Sequence, residues 1–293
     1  MIGARALMLA LEKEGVKEVF GLPGGANLPM YDELYKSNIR HILVRHEQSA
    51  AHMADGFGRV SRKPGVCFAT SGPGATNLLT GIATAQADSA PMVAVTGQVP
   101  VKMIGKDAFQ ESDIIGMANP AVKYSYQPRT PEEIPEIVKQ GFYIAETGRP
   151  GPVLLDIPKD VQQNEGKFTF PDEVRIPGYH PWTDPDIPSI EKAIQLLLTS
   201  EKPMILAGGG VIISSAFAEL QSIAEMLMIP VVTTFKGKGA FPENHPLSLG
   251  PIGMHGHAEA NKLMTEADCV LAIGTRFSDR SVGTFEEFER NLK

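Results

Sequence analysis

The sequence predicts an α/β fold, in which a doubly wound, mostly parallel sheet is followed by an incomplete, Rossmann-like α/β domain. Short apolar runs alternate along the chain with segments whose apolar residues recur at helical spacing, which is typical of parallel sheets with crossover helices. Glycine-rich turns follow most of the predicted strands, and open α/β sheets bind ligands at the carboxyl ends of their strands. The length of 293 residues is enough for about two domains.

The composition excludes several classes of protein. The formal net charge is -7 and 43% of the residues are hydrophobic, so we expect a globular protein that binds neither nucleic acid nor an acidic membrane surface. No membrane-spanning or leader segment is predicted, because charged residues interrupt the apolar start of the chain. Cys67 and Cys269 lie far apart in apolar runs, which favours a reduced, cytoplasmic protein without a disulfide.

The first domain is predicted to span residues 1–158. Leu7, Ala10 and Leu11 share one helical face before Gly15, a residue type that commonly follows the end of a helix. Periodicity and turn signals together give helices at 4–14, 28–37, 48–60, 75–88 and 131–146, and strands at 18–21, 41–44, 66–70, 92–96 and 153–157. Residues 101–120 are polar and broken by glycine, and we expect a long functional loop there.

Glu47 stands where the second predicted strand ends and a helix begins. Its carboxylate either interacts with the helix dipole or works as an acid or base, and position alone favours the first interpretation. Glycine turns at 23–25 and 71–74 also follow strands, so all three features are expected at one edge of the sheet. Neither turn fits a phosphate-binding pattern, and plain tight turns are the alternative interpretation.

Several linked motifs of this chain resemble known enzymes. Four segments are similar to the pyrimidine-binding domain of thiamine-diphosphate enzymes, namely FGLPGGA (20–26), RHEQ (45–48), ATSGPGATN (69–77) and TGQVP (96–100). Two more, MIGKDAFQE (103–111) and GRPGPV (148–153), narrow the resemblance to the large, catalytic subunit of acetolactate synthase, also called acetohydroxyacid synthase. The motifs occur in order along nearly the whole chain, which makes coincidence a poor explanation.

The resemblance implies that Glu47 is the catalytic carboxyl group. In the family, such a group hydrogen-bonds a ring nitrogen of the thiamine pyrimidine and favours the imino form that deprotonates the thiazolium C2. Further positions are implied to line the cofactor pocket; these are Pro23, Gly24, Thr70, Pro73, Asn77 and Gln110. Turn and cap chemistry is the alternative for the turn residues among them.

The resemblance also implies contacts to substrate and flavin. Phe109, Gln110 and Lys123 match family positions near the substrate channel, where a cation suits an anionic 2-oxo acid. A solvated surface lysine is the alternative for Lys123. Arg149 matches a family flavin contact, and its alternative is a loop arginine that caps a helix end.

Residues 159–188 are polar and rich in proline, and we predict a linker that leads to a second domain at 189–293. Ser189 is expected to cap the first helix of that domain, and the elements that follow are a helix at 190–199, strands at 204–207, 231–234 and 269–273, and a helix at 214–228. In the resembled family this central domain binds FAD, which is structural because the net reaction is not redox. The implied flavin contacts follow the strands; they are Gly208, Gly209, Gly210, His255, Gly256, Gly274, Thr275 and Arg276.

Lysines and histidines of the second domain have further possible roles. Lys236 and Lys238 stand at positions that are usually neutral in the family, and they would either contact the flavin phosphates or be solvated. His245, His255 and His257 lie in loops broken by proline and glycine, without a cluster of carboxylates, so we predict no metal site in this chain.

The chain is shorter than the family pattern. It contains no Gly-Asp-Gly motif with a downstream asparagine, and in the family that motif holds Mg²⁺ and the diphosphate. Only three strands of the central sheet are predicted, which would leave an apolar edge unpaired. We therefore expect the chain to be an N-terminal portion of a longer enzyme. This portion lacks the diphosphate-binding domain and is expected to be inactive by itself.

The reaction implied by the resemblance is the decarboxylation of pyruvate and its carboligation to a second 2-oxo acid, in isoleucine and valine biosynthesis. A homodimer or homotetramer is implied, often with a small regulatory subunit. Two alternatives stay open. One is another thiamine-diphosphate enzyme of the oxidase, decarboxylase or acetyltransferase type, which the product formed from pyruvate would distinguish. The other is a non-catalytic flavin-binding assembly module, for which no second chain would supply a diphosphate domain.

Overall fold

The computed structural model describes residues 1–181, 184–283, 288 and 291–292. The chain divides into two compact units, Met1–Trp182 and Thr183–Lys293. The strands of both sheets pair in parallel, which confirms the predicted α/β class. In the part of the chain that the structure describes, no helix is long and apolar enough to cross a membrane.

Unit 1 contains a six-stranded sheet. Its strands are β1 (Glu18–Gly21), β2 (Arg40–Leu43), β3 (Gly65–Ala69), β4 (Met92–Gln98), β5 (Tyr124–Tyr126) and β6 (Pro152–Pro158). Its helices are α1 (Gly3–Lys13), α2 (Leu28–Tyr35), α3 (Glu47–Ser61), α4 (Pro73–Asn77), α5 (Leu79–Asp88), α6 (Ile114–Ala118), α7 (Ile134–Glu146) and α8 (Lys159–Gln163). Short 3-10 helices lie at Val101–Met103, Asn119–Ala121 and Pro131–Glu133.

The central strands of unit 1 are buried on both faces. Along β3, Val66 and Phe68 enter one apolar core with residues of α1, α2 and α7, whereas Cys67 and Ala69 enter a second core with residues of α3 and α5. Successive side chains of a strand point to opposite faces, so helices cover both sides of the sheet. This is the doubly wound arrangement that the sequence predicts.

The strand order β2-β1-β3-β4-β6-β5 places a topological switch point between β1 and β3. From β1 the chain crosses outward to β2, and from β3 it crosses in the other direction to β4. The turns that follow β1 and β3 and the start of α3 after β2 therefore meet at the carboxyl edge of the sheet. This is the edge where such folds bind ligands.

Unit 2 contains a four-stranded parallel sheet. Its strands are β7 (Pro203–Ala207), β8 (Val231–Thr233), β9 (Ser248–Pro251) and β10 (Cys269–Ile273), in the order β10-β7-β8-β9. Its described helices are α9 (Ile187–Leu198), α10 (Gly209–Ser214), α11 (Phe217–Leu227), α12 (Ala258–Glu266) and α13 (Asp279–Val282), with a 3-10 helix at Phe235–Gly237. From β7 the chain passes to β8 and β9 on one side, and β10 then pairs with β7 on the other side.

The expectation of three strands in this sheet is wrong. The missed strand, β9, is short and half-buried, and Gly250 within it has a φ of +80°. The register with β8 also shifts between Val231 and Val232. A four-residue strand with a bulge and a glycine carries no apolar alternation, so the sequence did not reveal it.

The expected linker at 159–188 is partly ordered against unit 1. Residues 159–163 form α8, and farther along Phe170, Ile176 and Tyr179 pack against the apolar core of unit 1. The expected cap at Ser189 is wrong, because α9 begins at Ile187 and Asp186 occupies the N-cap position. The hydroxyl of Ser189 instead donates to Asp186 Oδ2 at 2.5 Å.

Two predicted helices are each divided into two. The segment at 75–88 belongs to α4 and α5, which join at Leu78, and the segment at 214–228 includes Ser215, whose φ of +58° ends α10 before α11 begins. The edge strand β5 was not predicted, because a three-residue Tyr-Ser-Tyr segment is too short to show a period.

Candidate active site

Glu47 is the first residue of α3, and its side chain is turned into the protein. The residue is only 8% exposed, and its Oε2 accepts a hydrogen bond from Asn77 Nδ2 at 2.9 Å. The N-cap of the helix is His46, whose Nδ1 accepts from the backbone N–H of Gln48 at 3.2 Å. A carboxylate that only balanced the helix dipole would need neither this burial nor a partner from another helix. The environment therefore favours the acid or base interpretation of Glu47.

The second carboxylate oxygen of Glu47 lies beside Gly74, in the turn after β3. A Cβ atom on Gly74 would lie 3.2 Å from Glu47 Oε1 and 2.7 Å from Thr70 Cγ2. A Cβ atom on Gly24, in the turn after β1, would lie 2.6 Å from the same Thr70 Cγ2. The glycines thus let both turns approach the Thr70 side chain closely, and Gly74 also brings its turn next to the Glu47 carboxylate.

The turn after β1 is fixed by side chains from several elements. Thr70 Oγ1 accepts from the Ala26 N–H at 3.0 Å, and Asn27 Oδ1 accepts from the Gly24 N–H at 2.7 Å. Gln162 Nε2 donates to the Ala26 carbonyl at 2.8 Å. The turn that contains Pro23 and Gly24 is therefore held from below by α8, an element that the sequence analysis assigned to the linker.

The loop after β4 covers the turn after β3. A Cβ atom on Gly72 would lie 2.6 Å from the carbonyl oxygen of Gln110, and both residues have positive φ, +59° and +58°. Phe109 beside it is 87% exposed. The structure thus brings Gln110 next to the Ser71–Gly74 turn that begins α4, where Pro73 is the first helical residue and Asn77 the last.

Lys123 does not reach this edge. It precedes β5 and so lies at the amino edge of the sheet, where its Nζ donates to the carbonyls of Ile144 and Thr147 and, at 3.3 Å, to Tyr179. Burial, with a smaller contribution from Arg149, lowers the pKa of Lys123 to about 8. Lys123 is neither beside Glu47 nor a solvated surface lysine, but a cation at the C-terminal end of α7.

Arg149 also lies at the amino edge, before β6. Its Nη2 donates to the carbonyl of Gln86 at 2.9 Å, and its Nε donates to Ser89 Oγ at 2.7 Å. These acceptors belong to the last turn of α5 and the residue that follows it. The geometry matches the alternative interpretation, an arginine that caps a helix end.

A buried polar cluster beside the site escaped the sequence analysis. Asp156 is fully buried in β6; its Oδ1 accepts from Thr96 at 2.6 Å, and its Oδ2 accepts from Gln98 at 3.0 Å and Gln127 at 2.7 Å. Burial raises the pKa of Asp156 to about 6, against the opposing effect of its three donors, and Asp113 adds to the increase. The signal in the sequence was an acidic residue inside an otherwise apolar strand.

In unit 2, two turns approach each other at the carboxyl edge. A Cβ atom on Gly208, after β7, would lie 2.3 Å from the carbonyl oxygen of Gly274, after β10, and the Gly210 N–H donates to that oxygen at 2.9 Å. Thr275 and Arg276 follow directly. The strand β9 brings the loop with His255 and Gly256 to the same edge, so the predicted flavin residues of this unit share one edge.

The other polar residues of unit 2 take ordinary roles. Lys238 pairs with Glu243 at 2.7 Å on the surface, and His245 Nε2 lies 3.1 Å from Glu225 Oε1. Within the described ranges, no three His, Cys, Asp or Glu side chains come together as metal ligands.

Comparison with protein families assigns both units. Residues 1–117 match the family described as "Thiamine pyrophosphate enzyme, N-terminal TPP binding domain", and residues 190–293 match "Thiamine pyrophosphate enzyme, central domain". The chain belongs to the thiamine pyrophosphate enzymes. Thiamine pyrophosphate and thiamine diphosphate are two names for one cofactor. The predicted resemblance to thiamine-diphosphate enzymes is therefore confirmed.

Several curated relatives of this thiamine pyrophosphate enzyme are named as acetolactate synthases. The chain is 57% identical over 296 residues to a probable acetolactate synthase large subunit of Methanocaldococcus jannaschii, which covers 100% of this chain and 50% of the relative. It is 51% identical over 300 residues to an acetolactate synthase of Arthrospira platensis (99% and 52%) and 49% identical over 294 residues to an acetolactate synthase large subunit of Corynebacterium glutamicum (100% and 47%). The chain spans about half the length of the curated relatives it matches.

The residues of unit 1 fit the pyrimidine end of the cofactor. Gly24 and Gly74 bring both turns against Thr70, and Glu47 Oε1 lies beside Gly74 without a hydrogen-bond donor among the described residues. A ring nitrogen of the pyrimidine suits this unpaired carboxyl oxygen. In unit 2, the paired glycine turns and the cationic Arg276 fit a ligand that carries phosphates.

Proposed function

We propose that this chain supplies the pyrimidine-binding and flavin-binding parts of an acetolactate synthase. The observation that carries the proposal is the buried Glu47 carboxylate, whose Oε2 is held by Asn77 and whose Oε1 lies beside Gly74 without a donor among the described residues. The names of the relatives, at 57%, 51% and 49% identity, support acetolactate synthase over other enzymes that use the same fold.

Glu47 acts by holding a proton at the pyrimidine ring nitrogen. When bound, thiamine diphosphate supplies the carbanion chemistry that joins two 2-oxo acids. Asn77 orients the carboxyl group through Oε2 and leaves Oε1 for the ring. Burial of Glu47 excludes water, so the hydrogen bond acts in a medium of low dielectric constant. Thr70 contacts the turns that contain Pro23 and Pro73, and both turns are proposed to border the pyrimidine.

The finer assignments belong to the same proposal. FAD binds at the carboxyl edge of unit 2 with Gly208–Gly210, His255, Gly256 and Gly274–Arg276 beside it, and its role there is structural. Mg²⁺ and the diphosphate are held by a diphosphate-binding domain that these residues do not include. The complete enzyme works as a homodimer or homotetramer in the cytoplasm, in isoleucine and valine biosynthesis, and takes pyruvate with a second 2-oxo acid.

A chimera tests the proposal. Residues 1–293 of this chain are joined to the remaining C-terminal half of the Methanocaldococcus jannaschii relative, and acetolactate formation from pyruvate is measured. We expect acetolactate as the product, and we expect Glu47→Gln to lower the turnover by about a thousandfold because the proton at the ring nitrogen is lost. The matched control is Glu33→Gln on α2, which is equally buried at 8% exposure and should retain turnover.

Each outcome separates the candidates. Wild-type turnover in Glu47→Gln would refute the role of Glu47. Formation of acetaldehyde or acetate in place of acetolactate would support a decarboxylase or oxidase instead. A folded chimera that retains flavin absorbance but makes no product from pyruvate would support the assembly-module alternative.

A further inference from the structure

The loop between β4 and α6 is held at three places although it contains only one short 3-10 helix. At its start, the Val101 N–H donates to both carboxylate oxygens of Asp160, at 3.0 and 3.1 Å. In its middle, Glu111 accepts from the N–H groups of Gly105 and Ala108, which closes the loop on itself. These two contacts shape the loop but do not attach its far end to the sheet.

Gln98 makes the third attachment. Its Nε2 donates both to the carbonyl oxygen of Ser112 at 2.9 Å and to Asp156 Oδ2 at 3.0 Å, while its Oε1 accepts from the Val99 N–H at 2.9 Å. The side chain is 2% exposed and uses its donors and its acceptor. The orientation of the amide is therefore determined by its neighbours, and the end of the loop follows that orientation.

Asp156 sets the orientation of Gln98. The donors on Asp156 are all neutral, and in the described part of the chain no lysine or arginine pairs with it. A carboxylate buried without a cation costs stability and gains little from ion pairing. What this carboxylate does provide is a strong acceptor that fixes Gln98 from one side, with Thr96 and Gln127 fixing the carboxylate in turn.

We propose that Asp156 is a positioning residue that acts through Gln98 to hold the loop bearing Phe109 and Gln110 against the glycine turn at Gly72. The contact that depends on it is the approach of the Gln110 carbonyl to Gly72. The value of this positioning for catalysis rests on the proposed function, in which the loop borders the cofactor pocket. The mechanical coupling from Asp156 to the loop does not rest on it.

Hydrogen exchange of the 293-residue chain tests the coupling directly. Backbone amides of residues 101–112 are followed in the wild type, in Gln98→Met, in Asp156→Asn and in the double variant. We expect each single substitution to speed loop exchange about tenfold, as for the loss of one hydrogen bond to a charged or buried group. If Asp156 acts through Gln98, the double variant exchanges no faster than the faster single variant.

A matched control separates the coupling from general destabilisation. Asp88→Asn removes a carboxylate that accepts from Arg59 at 2.7 Å, at the opposite edge of the same sheet, and should leave loop exchange at the wild-type rate. Loop exchange unchanged in Asp156→Asn, or rates that multiply in the double variant, would overturn the proposal.

A second variant covers the case in which Asp156→Asn does not fold. Gln98→Glu places a carboxyl group against Asp156, the Ser112 carbonyl and, nearby, Asp113. Above about pH 8 the repulsion should open the loop more than Gln98→Met does, and near pH 5 a shared proton should return exchange toward the wild-type rate at that pH. The same loop exchange in Gln98→Glu and Gln98→Met at both pH values would contradict the proposal. Because no cofactor is needed, failure here is distinct from failure of the acetolactate assay.

Discussion

The two edges of the unit 1 sheet carry charged groups that serve opposite purposes. At the carboxyl edge, Glu47 is buried, and its Oε1 lies beside Gly74 without a hydrogen-bond donor among the described residues. At the amino edge, Lys123 and Arg149 donate to carbonyls at the ends of α7 and α5. Glu47 at the carboxyl edge thus has an acceptor oxygen without a donor among the described residues, whereas the charged groups of the amino edge cap helix ends.

The two edges therefore present their charged groups in different ways within this chain. Lys123 and Arg149 occupy positions that match substrate and flavin contacts of the family, yet in this chain their donors are engaged by helix ends. Glu47 has the same type of element beside it, a helix terminus, but its partner is the side chain of Asn77. Glu47 differs in having one carboxylate oxygen without a donor among the described residues, and four predictions test the roles of the charged groups and glycines of unit 1.

The largest effect is expected for Gly74→Ala. The new Cβ atom would lie 2.7 Å from Thr70 Cγ2, so Thr70 must shift, and 3.2 Å from Glu47 Oε1, so the carboxylate must give by a few tenths of an ångström. A misplacement of this kind costs about a hundredfold in turnover, which the acetolactate assay of the chimera measures. The control is Gly25→Ala, since a Cβ atom there meets nothing within 4 Å. Equal turnover in the two variants would show that catalysis does not need a glycine at position 74.

Asp156 should make the stability of unit 1 depend on pH in an unusual direction. Its folded-state pKa of about 6 lies above the ordinary value of an aspartate, so the stabilisation gained by protonation is complete below that ordinary value and is lost as the pH rises through 6. Relative to Asp156→Asn, the free energy of unfolding of the wild type should rise by about 2 kcal/mol when the pH falls from 7 to 4. Urea unfolding of both proteins across this range provides the measurement. A wild type that loses stability relative to Asp156→Asn as the pH falls would contradict a raised pKa of Asp156.

Lys123→Met should reduce stability without affecting substrate binding. The variant loses charged hydrogen bonds to two carbonyls and the contact to Tyr179, worth about 1–2 kcal/mol in the free energy of unfolding. In the chimera the KM for pyruvate should stay within twofold of the wild type. A KM increase of more than about tenfold, with stability unchanged, would instead favour the substrate contact implied by the resemblance.

The smallest effect is expected for Arg149→Met. Loss of the hydrogen bonds to Gln86 and Ser89 should cost about 1 kcal/mol in thermal or urea unfolding. Flavin absorbance of the purified chimera should be retained, because the arginine donates to the end of α5. Loss of flavin with little change in stability would show that the family contact operates in the assembled enzyme.

Continuous apolar runs made most of the sheet predictable. The bounds of β1 and β10 coincide with the predicted strands, because the two strands read as short apolar segments between turns, although β10 is only partly buried. The edge strands β5 and β9 were missed, since neither has a buried apolar run. The meeting of Glu47 with the turns of Gly24 and Gly74 followed from a single rule, that parallel strands end at one edge.

The remaining site features depend on three-dimensional neighbours. Lys123 could not be assigned to an edge because the strand after it was not recognised. The role of Gln98 depends on Asp156, 58 residues away, and on Ser112 in a loop without periodicity. Polar residues within apolar strands, such as Thr96 and Asp156, were the available signal for this cluster.

The cysteines offer a consequence of a different kind. Each unit contains a single thiol, Cys67 in β3 and Cys269 in β10. Cys67 is wholly inaccessible, and burial raises its pKa to about 12, so alkylating reagents cannot modify it until unit 1 opens. The rate at which Cys67 is alkylated in pulse labelling, followed by mass spectrometry, therefore reports the opening of unit 1. Cys269 reports on unit 2 in the same experiment, and no engineered probe is required.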